Sequence, residues 1–158
     1  MRRWLVLALA LAAPAAARDP LGMFDDWGAF RDPSPLRCYA IAQPVDPGKG
    51  AWKPFAAIGY WPDQGARGQV HIRLSRARRA DAAVILSVDA ARWRMTAGAA
   101  DAWAASPQED AALRAKMRAA RSMSISSIDK SGRPFADIYR LQGAATAMDA
   151  AALGCVRR

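Results

Sequence analysis

The alternation of apolar and polar positions predicts that most of this chain folds as β-strands. Residues 69–75 alternate strictly, with three aliphatic residues on one face and His71 and Arg73 facing solvent on the other. Residues 54–61 are apolar throughout, which is typical of a central strand. Residues 98–106 are less regular. Further strands are predicted at 37–43, 83–89, 91–96, 122–128 and 135–141.

Two helices are predicted among these strands. Ser106 and Glu109 have the spacing of a capping box, which predicts a helix at about 107–121. A second helix is predicted at about 143–154, with Leu153 among its apolar contacts. Together these elements predict a mainly β fold of the β-rich α+β class. Its architecture is expected to be an antiparallel β-sandwich or a partly open barrel.

The segment before the first predicted strand has no regular pattern. Pro20, Pro33 and Pro35 interrupt residues 18–36, which are therefore predicted to form an extended, irregular N-terminal arm. Residues 37–158 are expected to form a single domain. The aromatic residues of the arm either dock on the surface of that domain or form a ligand platform. They are Phe24, Trp27 and Phe30.

The N-terminus has the pattern of a cleavable export signal. Arg2 and Arg3 precede an apolar stretch at 4–13, and small residues follow it up to Ala17. The apolar stretch is much shorter than the roughly 20 residues that a membrane-spanning helix needs. We therefore expect a signal peptide at residues 1–17, cleavage after Ala17, and a periplasmic or secreted protein. No later segment is long and apolar enough to predict a transmembrane helix.

The chain has two cysteines, Cys38 and Cys155. An even number of cysteines in an exported chain predicts a disulfide. A redox pair usually has C-x-x-C spacing, and a metal site needs more ligands than these two residues and the single histidine, His71, supply. In the chain-entropy model, closing so long a loop stabilises the fold by roughly 4–5 kcal/mol.

The formal net charge of +9 allows an anionic partner. The codon bias of a GC-rich genome is an alternative cause, because arginine greatly outnumbers lysine and asparagine is absent. The candidate anion-binding patch is the basic cluster after the alternating strand. Nucleic acid is not expected as the partner, because the chain carries an export signal and no recognised nucleic-acid-binding module. The cluster consists of Arg73, Arg76, Arg78 and Arg79.

Two sets of spaced residues, one near each end of the chain after residue 17, carry a family resemblance. They are Pro35-x-x-Cys38-Tyr39-Ala40 and Asp137-x-Tyr139-x-Leu141-x-Gly143 followed by Cys155. This pattern resembles the invasion-associated locus B family, whose members are exported proteins of alphaproteobacteria. The resemblance implies a periplasmic or surface-associated envelope protein with a disulfide between Cys38 and Cys155. For the founding member of the family it implies a part in host-cell invasion.

The sequence contains no convincing catalytic, cofactor or metal site. A hydrolase would need a concave pocket in which His71 meets a carboxylate such as Asp89 or Asp137. Neither a nucleophile elbow nor a phosphate-binding glycine loop is present. We therefore expect a non-catalytic envelope protein that binds another macromolecule or an anionic envelope component, through a basic or aromatic patch around residues 73–79 or Trp61. The alternative is a periplasmic hydrolase.

Overall fold

The computed structural model describes residues 18–48 and 52–156, so the predicted signal peptide lies outside the described residues. The strands form two sheets in which every neighbouring pair is antiparallel. Across the seven-stranded sheet the order is β1 (Asp19–Phe24), β2 (Trp27–Pro33), β3 (Leu36–Ala42), β4 (Phe55–Trp61), β5 (Ala66–Arg73), β9 (Asp101–Trp103) and β8 (Thr96–Ala97). Across the four-stranded sheet it is β11 (Pro134–Arg140), β10 (Ser122–Ile128), β6 (Ile85–Val88) and β7 (Ala91–Arg94).

The predicted β-rich α+β class is confirmed, and neither sheet closes into a barrel within the described residues. Two helices accompany the sheets, α1 (Pro107–Ala119) and α2 (Ala144–Gly154). No helix in the described ranges is long and apolar enough to span a membrane.

The capping box of α1 forms with a small variation. The Ser106 hydroxyl accepts a hydrogen bond from the Glu109 N–H at 3.2 Å. The Glu109 carboxylate accepts from the N–H of Ala105 at 3.1 Å, one residue earlier than in the usual box. The helix ends at Ala119 rather than at residue 121.

Helix α2 buries one stripe of small side chains. The prediction that Leu153 packs against the core is wrong, because Leu153 lies off this stripe and is 73% exposed. The buried side chains follow the helical spacing expected for a single face. They are Ala144, Ala147, Met148 and Ala151.

One side of the seven-stranded sheet, here called the inner face, packs under the helices. Helix α2 lies against β1, β2 and β3, and α1 lies against β5. Alanines on both α2 and the inner face let the helix approach the sheet closely. Larger buried residues, such as Ile58 and Ile125, join both sheets and both helices in one core. The inner-face alanines of β2, β3 and β4 are Ala29, Ala40, Ala42 and Ala56.

Two specific links fix the helices to the sheet. The predicted disulfide is confirmed: it joins Cys38 in β3 to Cys155, just after α2, with the Cα atoms 5.7 Å apart. On α1, the Asp110 carboxylate accepts a hydrogen bond from the Val70 N–H of β5 at 2.7 Å. Burial raises the pKa of the Asp110 carboxyl, and the Val70 N–H partly offsets that rise.

The predicted irregular arm at residues 18–36 is wrong, because residues 19–33 form the hairpin of β1 and β2. Its prolines occupy tolerant positions. Pro20 lies on an edge strand beside a register shift, and Pro33 is the last residue of β2. Trp27 is a core residue rather than a docked surface aromatic. It is fully buried, and its Nε1–H donates to the Arg140 carbonyl at 2.9 Å.

Candidate functional site

The four arginines of the predicted anion-binding patch lie in different surroundings. Arg73 lies on the seven-stranded sheet, at the end of β5. Arg76 lies over the Phe135 ring at 5.7 Å and pairs with Asp129 at 3.3 Å. Arg79 pairs with Asp81 at 2.6 Å. Asp81 offsets the charge of Arg79, whereas Arg76 shares Asp129 with Arg133. The anion-binding role of the cluster stays a prediction.

Arg78 holds the loops around it together. Its guanidinium donates to five backbone carbonyls at 2.7–3.1 Å. With these acceptors its fork of donors is engaged inside the protein. Arg78 therefore links the loop after β5 to the segment around β8. The five acceptors belong to Arg79, Ala80, Ala82, Ala97 and Gly98.

His71 faces outward from β5 as predicted, but it is not isolated in solvent. Its Nε2 lies 2.8 Å from Oδ1 of Asp101. Its ring stacks on Trp103 with a centroid distance of 5.1 Å and an interplanar angle of 6°, and it meets Phe55 edge-on. The side chain retains 24% exposure. Neighbouring rings and a carboxylate therefore fix its position.

The carboxylates named for a hydrolase do not meet His71. Asp89 lies in the turn between β6 and β7 with a φ of 51°. Asp137 is buried, and its carboxylate accepts the N–H of Ser75 at 2.8 Å. Within the described ranges, no three histidine, cysteine, aspartate or glutamate side chains are grouped so as to hold a metal ion.

The side of the seven-stranded sheet that faces away from the helices, here called the outer face, gathers residues from distant parts of the chain. Cross-strand partners in an antiparallel sheet project to the same face. The register therefore places small or short side chains between larger ones on this face. One row across β2, β3, β4, β5 and β9 is Gly28, Ile41, Ala57, His71 and Trp103. The neighbouring row is Phe30, Tyr39, Gly59 and Gln69.

Two adjoining cavities of about 560 and 270 Å³ follow this outer face and share Ile41 and Phe55 in their walls. We call them together the outer groove. Met23 and Arg140 line its first cavity, and Trp61 lines its second. The remaining walls come mainly from β2, β3 and β4 and from the residues that connect β3 to β4. The other lining residues used below are Arg18, Asp26, Gly28, Phe30, Arg37, Tyr39, Lys53, Ala57, Gly59 and His71.

Glycines seat two of the aromatic rings of the groove. A Cβ atom at Gly59 would lie 2.2 Å from Cη2 and Cζ3 of Trp61, so the indole lies directly over the glycine. A Cβ atom at Gly28 would lie 2.8 Å from Cε2 of Phe30. Contacts this short leave no room for a side chain. The Gly-x-aromatic spacing in β2 and β4 therefore places these rings against the sheet.

Arginines lie over the aromatic rings at one end of the groove. The Arg18 guanidinium is 5.6 Å from the Phe30 ring centroid and 5.5 Å from that of Tyr39. Arg37 lies 5.7 Å from the Tyr39 centroid. These distances are typical of cation–π contacts. Arg18 and Arg37 share one carboxylate, that of Asp32, at 3.4 and 2.7 Å, so their positive charge exceeds its negative charge.

Positive charge also exceeds negative charge along the rest of the groove. Lys53 is exposed and forms no ion pair with the described residues. Arg140 approaches Asp26 only at 4.0 Å. Next to the groove, Arg73 lies 5.4 Å from the Phe55 centroid, and Asp101 offsets its charge at 3.1 Å. The lining thus combines aromatic surface with uncompensated cations.

The Tyr39 hydroxyl is covered by its surroundings and has no hydrogen-bond partner among the described residues. Burial is the main reason that the pKa of Tyr39 is raised, so this phenol stays protonated at neutral pH. A buried hydroxyl without a partner costs free energy.

Comparison of the chain with protein-family models, with curated proteins and with solved structures found no match in any of the three. The resemblance to the invasion-associated locus B family therefore stays a prediction. The candidate site rests on the geometry of the outer groove. The sequence predicts an aromatic patch around Trp61, but it does not predict the groove that surrounds this residue.

Proposed function

We propose that this protein is an exported, non-catalytic envelope protein that binds another macromolecule or an anionic envelope component through the outer groove. The observation that carries the proposal is the open aromatic and basic surface opposite the helix-covered face of the same sheet. An antiparallel sheet commonly leaves one face in contact with solvent, but the residues on such a face are usually polar.

The composition of the groove favours binding over folding. Tryptophan, tyrosine and arginine are the residue types that contribute most to binding energy at protein interfaces. Trp61, Phe55 and Tyr39 are only partly buried, so their rings are available to a partner. Contiguous exposed aromatic surface on a folded domain commonly marks a binding site.

Export is supported by the N-terminal signal pattern and by the disulfide. Disulfides persist mainly in oxidising compartments such as the bacterial periplasm. The Cys38–Cys155 disulfide links a strand to the end of the last helix, as in exported domains that a long-range disulfide stabilises. The resemblance to exported envelope proteins agrees with this proposal.

Export is tested by expressing the full chain in a Gram-negative host and measuring the intact mass of the protein in the periplasmic fraction. We expect a chain that begins at Arg18 and is lighter by the hydrogens that disulfide formation removes. Alkylation should modify the cysteines only after reduction. A membrane-bound product that retains residues 1–17 would contradict the proposal.

Binding is tested by co-sedimentation of the purified protein with envelope fragments of an alphaproteobacterium. We expect sedimentation to fall strongly for Trp61→Ala and to be unchanged for Leu153→Ala, an exposed apolar side chain on α2. Equal sedimentation of the two variants would show that the outer groove is not the binding surface.

The pairing of His71 with Asp101 is the one observation that favours the alternative, a hydrolase. A carboxylate beside a histidine orients the ring as catalytic bases require. The cavity that His71 lines contains no serine, threonine or cysteine among the described residues, so water would have to be the nucleophile. Mass spectrometry of oligosaccharides and peptides after incubation tests this role. Cleavage that is lost in His71→Ala would establish a hydrolase and contradict the non-catalytic proposal.

A further inference from the structure

The shape of the outer groove fits a chain rather than a compact molecule. Its two cavities follow one another over the outer face of β2, β3 and β4, and they meet at Ile41 and Phe55. Arg140 and Met23 line one cavity, and Trp61 lines the other. A ligand that contacts both ends must therefore be extended, and within the second cavity it follows β4 from Phe55 to Trp61.

Trp61 offers one ring face to such a ligand. Its indole lies over Gly59, so the backbone covers one face while the side chain remains partly exposed in the groove. The face of an aromatic ring carries partial negative charge, which attracts polarised C–H groups. Pyranose rings present such C–H groups on one side. A sugar unit can therefore stack on Trp61 without a deep pocket.

The charges of the groove complement a ligand that carries carboxylates. Arg18 and Arg37 together face the single carboxylate of Asp32, so one guanidinium charge is left over at this end. Lys53 is unpaired among the described residues and lines the other cavity. A guanidinium binds a carboxylate with two parallel hydrogen bonds, which gives both strength and orientation. Cations in both cavities suit a chain in which acidic groups recur.

The geometry points to an acidic polysaccharide, built from sugars that carry carboxylates, as the occupant of the outer groove. In this arrangement Trp61 stacks on a sugar ring while Arg18 and Arg37 bind a carboxylate. The inference rests on the proposed function, because an exported protein meets polysaccharides rather than nucleic acids. An acidic peptide or an oligonucleotide offers the same charge, and the test below includes both.

The test is titration of the purified protein with an oligogalacturonate hexasaccharide, followed by calorimetry and by tryptophan fluorescence. Neutral maltohexaose, polyglutamate and an oligothymidylate serve as comparison probes. We expect binding of the oligogalacturonate at low salt, a change in tryptophan emission, and weakening as salt is raised, because screening reduces the attraction between exposed charges. Maltohexaose, polyglutamate and oligothymidylate should bind at least about tenfold more weakly, since each lacks either the charge or the sugar face.

Gly59→Ala and Trp61→Ala test the stacking contact. Gly59→Ala changes no charge, but its methyl group would occupy the place of the indole. Loss of one stacked ring is worth about tenfold in affinity, by analogy with stacking of bases on aromatic side chains. Arg37→Ala should weaken binding and reduce its salt dependence. Arg118→Ala removes the same charge from α1, outside the groove, where Arg118 pairs with Asp149, and should leave binding unchanged. Unfolding midpoints of all four variants verify that each is folded.

The outcomes separate the two proposals. Polyglutamate or oligothymidylate binding as tightly as oligogalacturonate, with loss in Trp61→Ala, would overturn the polysaccharide inference and leave the binding groove in place. Equal binding of maltohexaose would overturn the requirement for charge and with it the inference. Absence of binding to every probe would overturn the inference, while the co-sedimentation experiment would still decide the proposed function. Binding of oligogalacturonate that is unchanged in both Gly59→Ala and Trp61→Ala would overturn both proposals.

Discussion

The two faces of the seven-stranded sheet are formed by alternating residues of the same strands, yet they differ in almost every property. In β3, Cys38 and Ala40 point to the inner face and are fully buried, while Tyr39 between them points to the outer face and is partly exposed. In β4, Ile58 lies inside, and Phe55 lies outside. Side chains alternate because successive Cβ atoms point to opposite sides of a strand.

The inner face is small, apolar and covered, whereas the outer face is large, aromatic, basic and open. Covering by α2 explains the alanines of the inner face, because small side chains permit close packing. No helix covers the outer face in the described parts of the chain. Its rings therefore add little to folding, and we propose that they contact a partner. The following predictions test this division between stability and binding.

The largest expected loss of stability follows removal of the disulfide, which joins the inner face of the sheet to the end of α2. Replacing both Cys38 and Cys155 with alanine should lower the free energy of unfolding by about 4–5 kcal/mol, because the unfolded chain loses a long-range constraint. Urea denaturation measures this change. Ligand binding by the fraction that remains folded should be unchanged. A variant as stable as the parent would contradict the role of the bridge.

The next largest effect on stability is expected from a pair of substitutions in β4, one on each face of the sheet. Ile58→Ala should cost about 2–5 kcal/mol, because it removes a fully buried side chain and leaves a cavity. Trp61→Ala should cost about 1 kcal/mol or less, since its ring is partly exposed on the outer face. Denaturation curves and binding titrations are measured for both. A larger loss of stability in Trp61→Ala than in Ile58→Ala would contradict the division between a stabilising inner face and a binding outer face.

A second pair of variants compares two arginines. Arg78→Ala should cost about 1–3 kcal/mol, because several carbonyls lose their donor. Arg37→Ala should cost about 0–1 kcal/mol, as exposed ion pairs do, while binding weakens. Chemical denaturation of each variant checks the order of the two effects. A larger loss of stability in Arg37→Ala than in Arg78→Ala would contradict the structural role assigned to Arg78.

The smallest expected effect is a pH dependence away from the groove. The Ser131 hydroxyl, followed by the Arg133 N–H, holds the pKa of the Asp129 carboxyl well below its usual range. Because the folded pKa is lowered, this stabilisation is present above the unfolded pKa, about 4, and is lost as the pH falls. Asp129→Asn should therefore show a weaker fall in thermal midpoint between neutral and acid pH. An identical fall in thermal midpoint in the parent protein and in Asp129→Asn would contradict the lowered pKa of the Asp129 carboxyl.

The elements that depend on local signals were predictable from the sequence. The alternation in β5 gave the correct inner face, and the capping residue Ser106 marked the start of α1. The hairpin of β1 and β2 is not predictable from local pattern, because its prolines indicate irregular structure and its strand pairing is not visible in the sequence. Pro20 is tolerated there because β1 is an edge strand, where the N–H that proline lacks is not needed to pair with a further strand.

The outer groove depends on register between distant segments, which no local pattern reveals. Gly28, Ala57 and Trp103 meet in one row only after four separate strand pairings are known. Conversely, Arg73 and Arg78 are close in sequence but diverge, because one ends a strand and the other turns toward the loop near β8. The Gly-x-aromatic spacing of β2 and β4 is the local signal that could have indicated the groove.

The most direct test of the outer groove as the binding surface is an amide chemical-shift titration of the isotope-labelled protein with the oligogalacturonate hexasaccharide. We predict that shift changes concentrate in β2, β3, β4 and β5, with the Trp61 side-chain resonance among the largest. The loop at residues 76–82 and the exposed side of α2 should remain unchanged. Shift changes centred on residues 76–82 or on α2, with the groove unperturbed, would contradict the assignment of binding to the outer face.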